Sequence, residues 1–237
     1  MKVKVIGSGS MFNEYNSACY LIDDDIMVDF PNGACKYLYR FDISPTSINN
    51  VLITHFHEDH YFDLPIYFIN KFKKDSKNVN MYCSKEGRRK IKKVGKLAFP
   101  DSFPKIYKGL DCNYNFKDKF MVNDYNVDRV LVNHGKILAH GYIFEKDNIK
   151  FGFTGDTTIC DGVEYMASIC NYLFCDAMFP KVTEKHMGID VIKELSSKYK
   201  NCKFIVSHLN NDTREEFKKL KIKNVIIPED GMEIEIK

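Results

Sequence analysis

Three of the chain's seven histidines fall inside one hexapeptide, His55-Phe56-His57-Glu58-Asp59-His60. Imidazole and carboxylate are the side chains that ligate divalent cations and move protons near neutral pH. On an extended segment His55 and His57, two residues apart, point the same way. Asp59 and His60 follow round the bend, placed for a second metal. The hexapeptide comes straight after Val51-Leu52-Ile53 and Thr54, and that short apolar run reads as a buried strand. A turn at a strand's end can aim several side chains into one cleft, as a metal site requires. With so few histidines in the chain, this clustering is not the composition of an ordinary polar loop.

H-x-H-x-D-H is the signature of the metallo-β-lactamase superfamily, and the chain resembles that superfamily over nearly its whole length. Val130-Leu131-Val132-Asn133-His134 resembles the strand ending in the next histidine ligand. Phe153-Thr154-Gly155-Asp156-Thr157 resembles the strand and turn that carry the bridging aspartate, and Phe204-Ile205-Val206-Ser207-His208 resembles the strand of the last histidine. The tail Pro228-Glu229-Asp230-Gly231-Met232 looks like the superfamily's closing Asp-Gly hairpin.

The resemblance implies that His55, His57 and His134 hold one metal, that Asp59, His60 and His208 hold another, and that Asp156 bridges them. Nitrogen and carboxylate donors without thiolate suit two Zn²⁺ ions, with Mn²⁺ or Fe²⁺ as the alternatives. Two such ions about 3.5–4 Å apart share a water and bring its pKa towards neutrality. Asp59 would orient that water or take its proton. His140 is the one rival for His134; it lies inside a strand rather than at its end, and a structural role is expected for it.

Three features choose among the superfamily's hydrolases, a choice the fold leaves open. Lys185-His186-Met187-Gly188 resembles the tRNase Z-like phosphodiesterase branch, where an extra histidine meets the phosphate and protonates the leaving oxygen. Glu184 is a candidate to orient His186. The opening Gly7-Ser8-Gly9-Ser10, with Asn16-Ser17-Ala18, resembles the same branch, and its backbone N–H groups are candidate phosphate donors. The β-lactamases proper usually place a cysteine where this chain has Asp156. Against tRNA processing, His134 and Asp156 lie 22 positions apart, too close for the long arm with which the short-form enzymes grip tRNA. The expected activity is hydrolysis of a small nucleotide-like phosphodiester, such as a cyclic nucleotide, or of an alkyl phosphodiester. The alternatives are a metal-dependent endoribonuclease and a thioester or lactone hydrolase.

The elements that must position these residues follow from patterning. Val3–Ile6, Ala18–Ile22, Ile26–Phe30, Val79–Tyr82, Asn126–Val132, Leu138–Phe144 and Lys150–Thr154 read as strands. So do Tyr172–Cys175, Phe204–Val206, Val225–Ile227 and Met232–Ile236. Helices are expected near Asn32–Tyr39, Leu64–Lys74, Ser84–Leu97, Ile189–Tyr199 and Thr213–Leu220. Phe99–Lys119 reads as a loop whose aromatics would form core, a dimer contact or a lid that stacks a base. Strands that meander first and later alternate with helices fit two sheets packed face to face, with helices outside. The expected fold class is therefore α+β, a four-layer αββα sandwich of two mixed sheets, in a single domain over residues 1–237.

The remaining composition sets bounds. A net charge of +3 over 237 residues does not imply a nucleic-acid partner, and 44% hydrophobic residues supply a sizeable core. From Lys71 to Lys96, however, eleven basic residues face two acidic ones, a solvated helix face or an RNA-binding edge. No apolar run is long enough to span a membrane. Eight scattered cysteines without a C-x-x-C pair, and no secretory signal, point to reduced thiols in the cytoplasm. The resemblance also implies a homodimer.

Overall fold

The computed structural model describes residues 1–237. The first half runs β1 (Lys2–Gly7), β2 (Cys19–Ile22), β3 (Ile26–Val28), α1 (Ala34–Arg40), β4 (Asn50–Leu52), α2 (Glu58–Tyr61), α3 (Leu64–Lys73), β5 (Asn78–Tyr82), α4 (Gly87–Ala98), α5 (Phe103–Lys108) and β6 (Asp111–Asn115). The second runs β7 (Lys119–Val122), β8 (Tyr125–His134), β9 (Ile137–Lys146), β10 (Ile149–Phe153), α6 (Asp161–Ile169), β11 (Tyr172–Asp176), α7 (Ile189–Lys198), β12 (Lys203–Ser207), α8 (Asn211–Leu220), β13 (Val225–Ile226) and β14 (Glu233–Glu235).

Two seven-stranded sheets result, ordered β14-β1-β2-β3-β4-β5-β6 and β13-β12-β11-β10-β9-β8-β7. Each is mixed in the same way. β14 to β3 pair antiparallel and β3 to β6 parallel, while β7 to β10 pair antiparallel and β10 to β13 parallel. Parallel neighbours need a crossover, and helices make every one of them.

Side chains alternating along each strand build three apolar layers. Tyr20, Ile22, Ile26, Val28 and Leu52 meet Tyr142, Phe144, Phe151, Phe153 and Phe174 between the sheets. Their neighbours Cys19, Leu21, Met27, Val51 and Ile53 face α1, α3, α4 and α5 through Leu38, Phe68, Ile91 and Phe103. On the far side Leu173, Phe204 and Val206 pack on Met166 of α6, Ile192 of α7 and Phe217 of α8. This is the expected αββα sandwich. Each buried aromatic or aliphatic side chain contributes about 1.5–3 kcal/mol, so the sheets that carry the site are firmly held.

Four expectations change. Phe99–Lys119 is not a loop or a lid: Pro104 sits in the first turn of α5, where a missing N–H costs nothing, and Cys112 and Tyr114 pack β6 onto the core. Prolines and a polar edge strand hide both elements from a periodicity reading. β7 and α6 are further elements that the pattern does not announce. The Pro228–Met232 turn is not a hairpin, because β13 ends one sheet and β14 begins pairing in the other. It is a crossover, and Asp230 staples it to the N-terminal loop by accepting from Ser8 N–H at 2.9 Å and Asn16 N–H at 2.8 Å.

Finally, Lys71 does not belong to a basic surface. It is fully buried, and its ammonium donates to the carbonyls of Thr46 and Ile48, to Asn49 Oδ1 and to Ser76 Oγ. Its long stem fills the core while the head meets only neutral acceptors.

Candidate metal centre

The site lies where strands of both sheets end. β4 runs into Thr54 and His55, β8 ends on His134, β10 precedes Asp156, β11 ends on Asp176, and β12 precedes His208. In sheets of this kind the crevice beyond the carboxyl ends of parallel strands is where ligands bind.

A short α2 turns the hexapeptide through its bend, so that Asp59 and His60 leave from a helix while His55 and His57 leave from extended chain. Asp29, just past β3, clamps both ends of this loop. It accepts from the Thr54 amide and hydroxyl, each at 2.8 Å, and from His60 Nδ1 at 2.7 Å. Asp29 adopts φ 61°, and His208 adopts φ 57°. Two non-glycine residues in the left-handed region, both at the site, mark backbone held there by its surroundings. Gly155, at φ +60°, lets the chain pass Thr54 where a Cβ would lie 2.7 Å from that side chain, and so delivers Asp156.

The seven expected ligands come together in two sets that share Asp156. Ligand atoms of His55, His57, His134 and Asp156 all lie within 4.8 Å of one another, as do those of Asp59, His60, Asp156 and His208. His57 Nδ1 lies 3.0 Å from His55 Nε2 and 3.1 Å from His134 Nε2. In the second set His60 Nε2 lies 3.3 Å from Asp156 Oδ1, and His208 Nε2 lies 3.3 Å from Asp59 Oδ2 and 3.4 Å from Asp156 Oδ2. The outer nitrogens are anchored: His134 Nδ1 on the Lys185 carbonyl at 3.0 Å, His60 Nδ1 on Asp29. Such anchoring fixes which ring nitrogen faces a metal.

The charges point the same way. Burial holds His55, His57 and His134 below the ordinary imidazole range, leaving them neutral. Burial opposes ionisation of Asp156, but His208 and His60 outweigh it and hold that carboxyl well below its usual range. Burial likewise opposes charge on His60 and His208, yet Asp156 and their other acidic partners raise both, His208 to about 10. His60 Nε2 is buried without a hydrogen-bond partner while aimed at two carboxylates. Two buried carboxylates and an orphaned nitrogen around one point are the donor chemistry of a divalent-cation site, so the residues fit the metals the resemblance implies.

A third group adjoins these sets. Ligand atoms of Asp156, Asp176, His186 and His208 also lie within 4.8 Å of one another. His186 Nδ1 donates to Asp176 Oδ2 at 2.8 Å. Its ring stacks on His208 at 5.4 Å and meets His134 edge-on at 5.0 Å, touching one member of each metal set. The partner of His186 is therefore Asp176 and not Glu184, which is exposed. Sequence reasoning missed Asp176 and Asp29. The available signal was the same at both, an acidic residue closing an apolar strand.

Two other candidates fall away. The Ser8, Gly9 and Ser10 amides are spent inside the fold, on the Asp230 carboxylate and the carbonyls of Asn16 and Leu209, so none of the three is free for phosphate. His140 sits in β9 opposite Leu131, apart from all three groups, and burial with the Arg129 charge pushes it down to about 4.

Two mixed sheets face to face, helices outside and histidines and aspartates at the strand ends define the metallo-β-lactamase fold. Solved structures of that fold superpose over essentially the whole chain. A diphosphatase of the PhnP family matches with TM-score 0.78 and 19% identity, covering 100% of this chain and 98% of its own. Human tRNase Z, short form, matches with TM-score 0.77 and 16% identity over 100% of both chains. The metallo-β-lactamase fold protein YhfI of Bacillus subtilis matches with TM-score 0.77 and 14% identity over 98% of both. The family description "Anti-Pycsar protein Apyc1" matches residues 1–227, and the chain belongs to that family. No curated protein matches it in sequence.

Proposed function

We propose that the chain is a two-metal phosphodiesterase whose substrate is a small nucleotide-like phosphodiester, a cyclic nucleotide first of all, or an alkyl phosphodiester. The observation that carries this reading is His186, anchored through Nδ1 by Asp176 and packed between His134 and His208. A thioester hydrolase, whose thiolate leaves without a proton, has little use for a donor so placed. An alkoxide leaving a phosphoryl group does.

In this reading His55, His57 and His134, then Asp59, His60 and His208, with Asp156 shared, hold two divalent ions, zinc by their donor chemistry. Bound there, the ions would neutralise phosphoryl charge and acidify a water. The chain's own groups do the rest. Asp59, beside His208 in the second set, orients the attacking water or takes its proton. Asp176 keeps the His186 tautomer that leaves Nε2 facing the substrate, and the imidazolium delivers its proton to the leaving oxygen. Burial opposes that charge, but the hydrogen bond and charge of Asp176, together with the charge of Asp156, outweigh it and raise the His186 pKa.

The endoribonuclease alternative is weakened by the segment from His134 to Asp156, which is only the β9–β10 hairpin and holds no arm. A homodimer and a cytoplasmic location complete the proposal; no helix is long and apolar enough to cross a membrane.

The test is hydrolysis of bis(p-nitrophenyl) phosphate and of a cyclic-nucleotide panel, with and without chelator, with bound metal counted in the same sample. Chelator-sensitive turnover with two metals per chain supports the proposal. A two-metal protein inert on phosphodiesters but active on a thioester sinks it. Sedimentation of that sample reads the oligomeric state.

A further inference from the structure

Helices α4 and α5 flank an open cleft of about 420 Å³ that shares no residue with the metal centre. Arg88, Lys92 and Lys96 recur every fourth residue along α4 and line one wall, and Lys108 of α5 adds a fourth cation. No carboxylate lines the cavity, and none of the four pairs with one, although their neighbour Lys90 is bound to Glu86 at 3.0 Å. Like charges at this helical spacing repel one another. The helix is nonetheless held in place by Ile91, which is buried, and by the Phe103 ring, which fills the space a Cβ at Gly95 would need. Apolar packing therefore positions the helix that carries the cations, and Arg88 also stands over the Tyr114 ring at 5.6 Å from its centroid.

The remaining wall is apolar and aromatic: Phe103, Pro104, Tyr107 and Leu110. Lys92 stands over the Tyr107 ring at 4.8 Å from its centroid, and the Tyr107 hydroxyl is fixed by a 2.8 Å bond to Tyr114. Cations without a carboxylate partner beside a fixed aromatic surface, in a volume typical of small-molecule sites, suit a ligand with a chain of phosphates and a flat ring.

We propose that this cavity is a second binding site, for a nucleoside triphosphate or a ligand of equivalent charge and shape. The phosphates lie along Arg88, Lys92 and Lys96 with Lys108 beside them, and the base rests on the Tyr107–Pro104 wall. The number of cations matches the charge of a triphosphate. The site is joined to the metal loop, because α4 begins at Gly87, where a Cβ would lie 2.3 Å from the ring of Phe56, the residue between His55 and His57.

Calorimetric titration of the metal-loaded full chain with ATP, inorganic tripolyphosphate and single-stranded oligo-uridine tests this. ATP is expected to bind more tightly than tripolyphosphate, with an affinity that falls as salt rises. The Lys92→Glu/Lys96→Glu variant should lose at least about tenfold in ATP affinity, since two charge-assisted contacts are reversed. The same variant should keep its melting temperature and its hydrolysis of bis(p-nitrophenyl) phosphate. His186→Ala should bind ATP as the parent does, which separates the cavity from the metal centre. If the reversed variant is unstable, Lys92→Gln/Lys96→Gln replaces it with the same expectation in smaller measure. Unchanged ATP affinity in the reversed or neutral variant overturns the proposal. So does binding of oligo-uridine alone, which would make the face a polynucleotide surface.

Discussion

Asp176 accepts from His186 Nδ1 at 2.8 Å and lies 3.5 Å from His208 Nδ1, so one buried carboxylate anchors the candidate proton donor and stands beside a candidate metal ligand. It also receives the amides of Thr157 and Met178, which lock its own position. A group placed this way influences chemistry without touching substrate.

His186→Ala should therefore lower phosphodiester turnover by about 10²–10⁴-fold with metal content unchanged. Asp176→Asn should lower it less, while also loosening the metal held by His208, within the roughly 10–100-fold range of outer-partner changes. Steady-state kinetics with metal analysis on each variant checks both. Equal activity of parent and His186→Ala on phosphodiesters would remove the histidine from the mechanism.

Asp29→Ala removes the acceptor for Thr54 and His60 together. The loop carrying four of the candidate ligands then loses its clamp. Unsatisfied buried donors cost about 1–3 kcal/mol each, so a clear fall in the urea midpoint is expected. Metal affinity should drop about 10–100-fold, read by competition with a chromophoric chelator. Unchanged affinity would show that the loop holds its shape unaided.

His134 and His140 should separate cleanly. His134→Ala is expected to lose metal from the first set and nearly all turnover. His140→Ala should keep its full metal content, because His140 lies outside all three groups. Metal counting on the two purified variants decides between them.

Lys71 gives the fold a pH signature. Burial pushes it down from an ordinary 10.5 to about 8, against a smaller opposing pull from Asp25. Between those values the unfolded chain holds a proton that the folded chain has released, so stability rises with pH from about 8 to about 10.5. Lys71→Met has no such group, and the parent's stability relative to that variant should grow by up to about 3 kcal/mol across the window. Urea unfolding at several pH values measures it. A difference that does not change with pH would mean that Lys71 stays charged in the fold.

Much of the site was legible because metal ligands need particular side chains, and histidine is scarce here. His55, His57, Asp59 and His60 could be picked out by type and spacing alone, and the resemblance added His134, Asp156 and His208. The two-sheet architecture followed from period-two apolar runs, because each strand buries opposite faces in different layers. What lay beyond the sequence depends on distance in space. Asp29 and Asp176 look like ordinary strand-end acids until folding brings Asp29 to His60, 31 residues away, and Asp176 to His186. The Gly7–Ser10 amides look free until Asp230, at the far end of the chain, takes one of them. Lys71 reads as surface charge until the core closes round it. Residue type limits which chemistry a position can do; only the tertiary structure decides what each polar group pairs with, because hydrogen bonds and charge pairs form between neighbours in space.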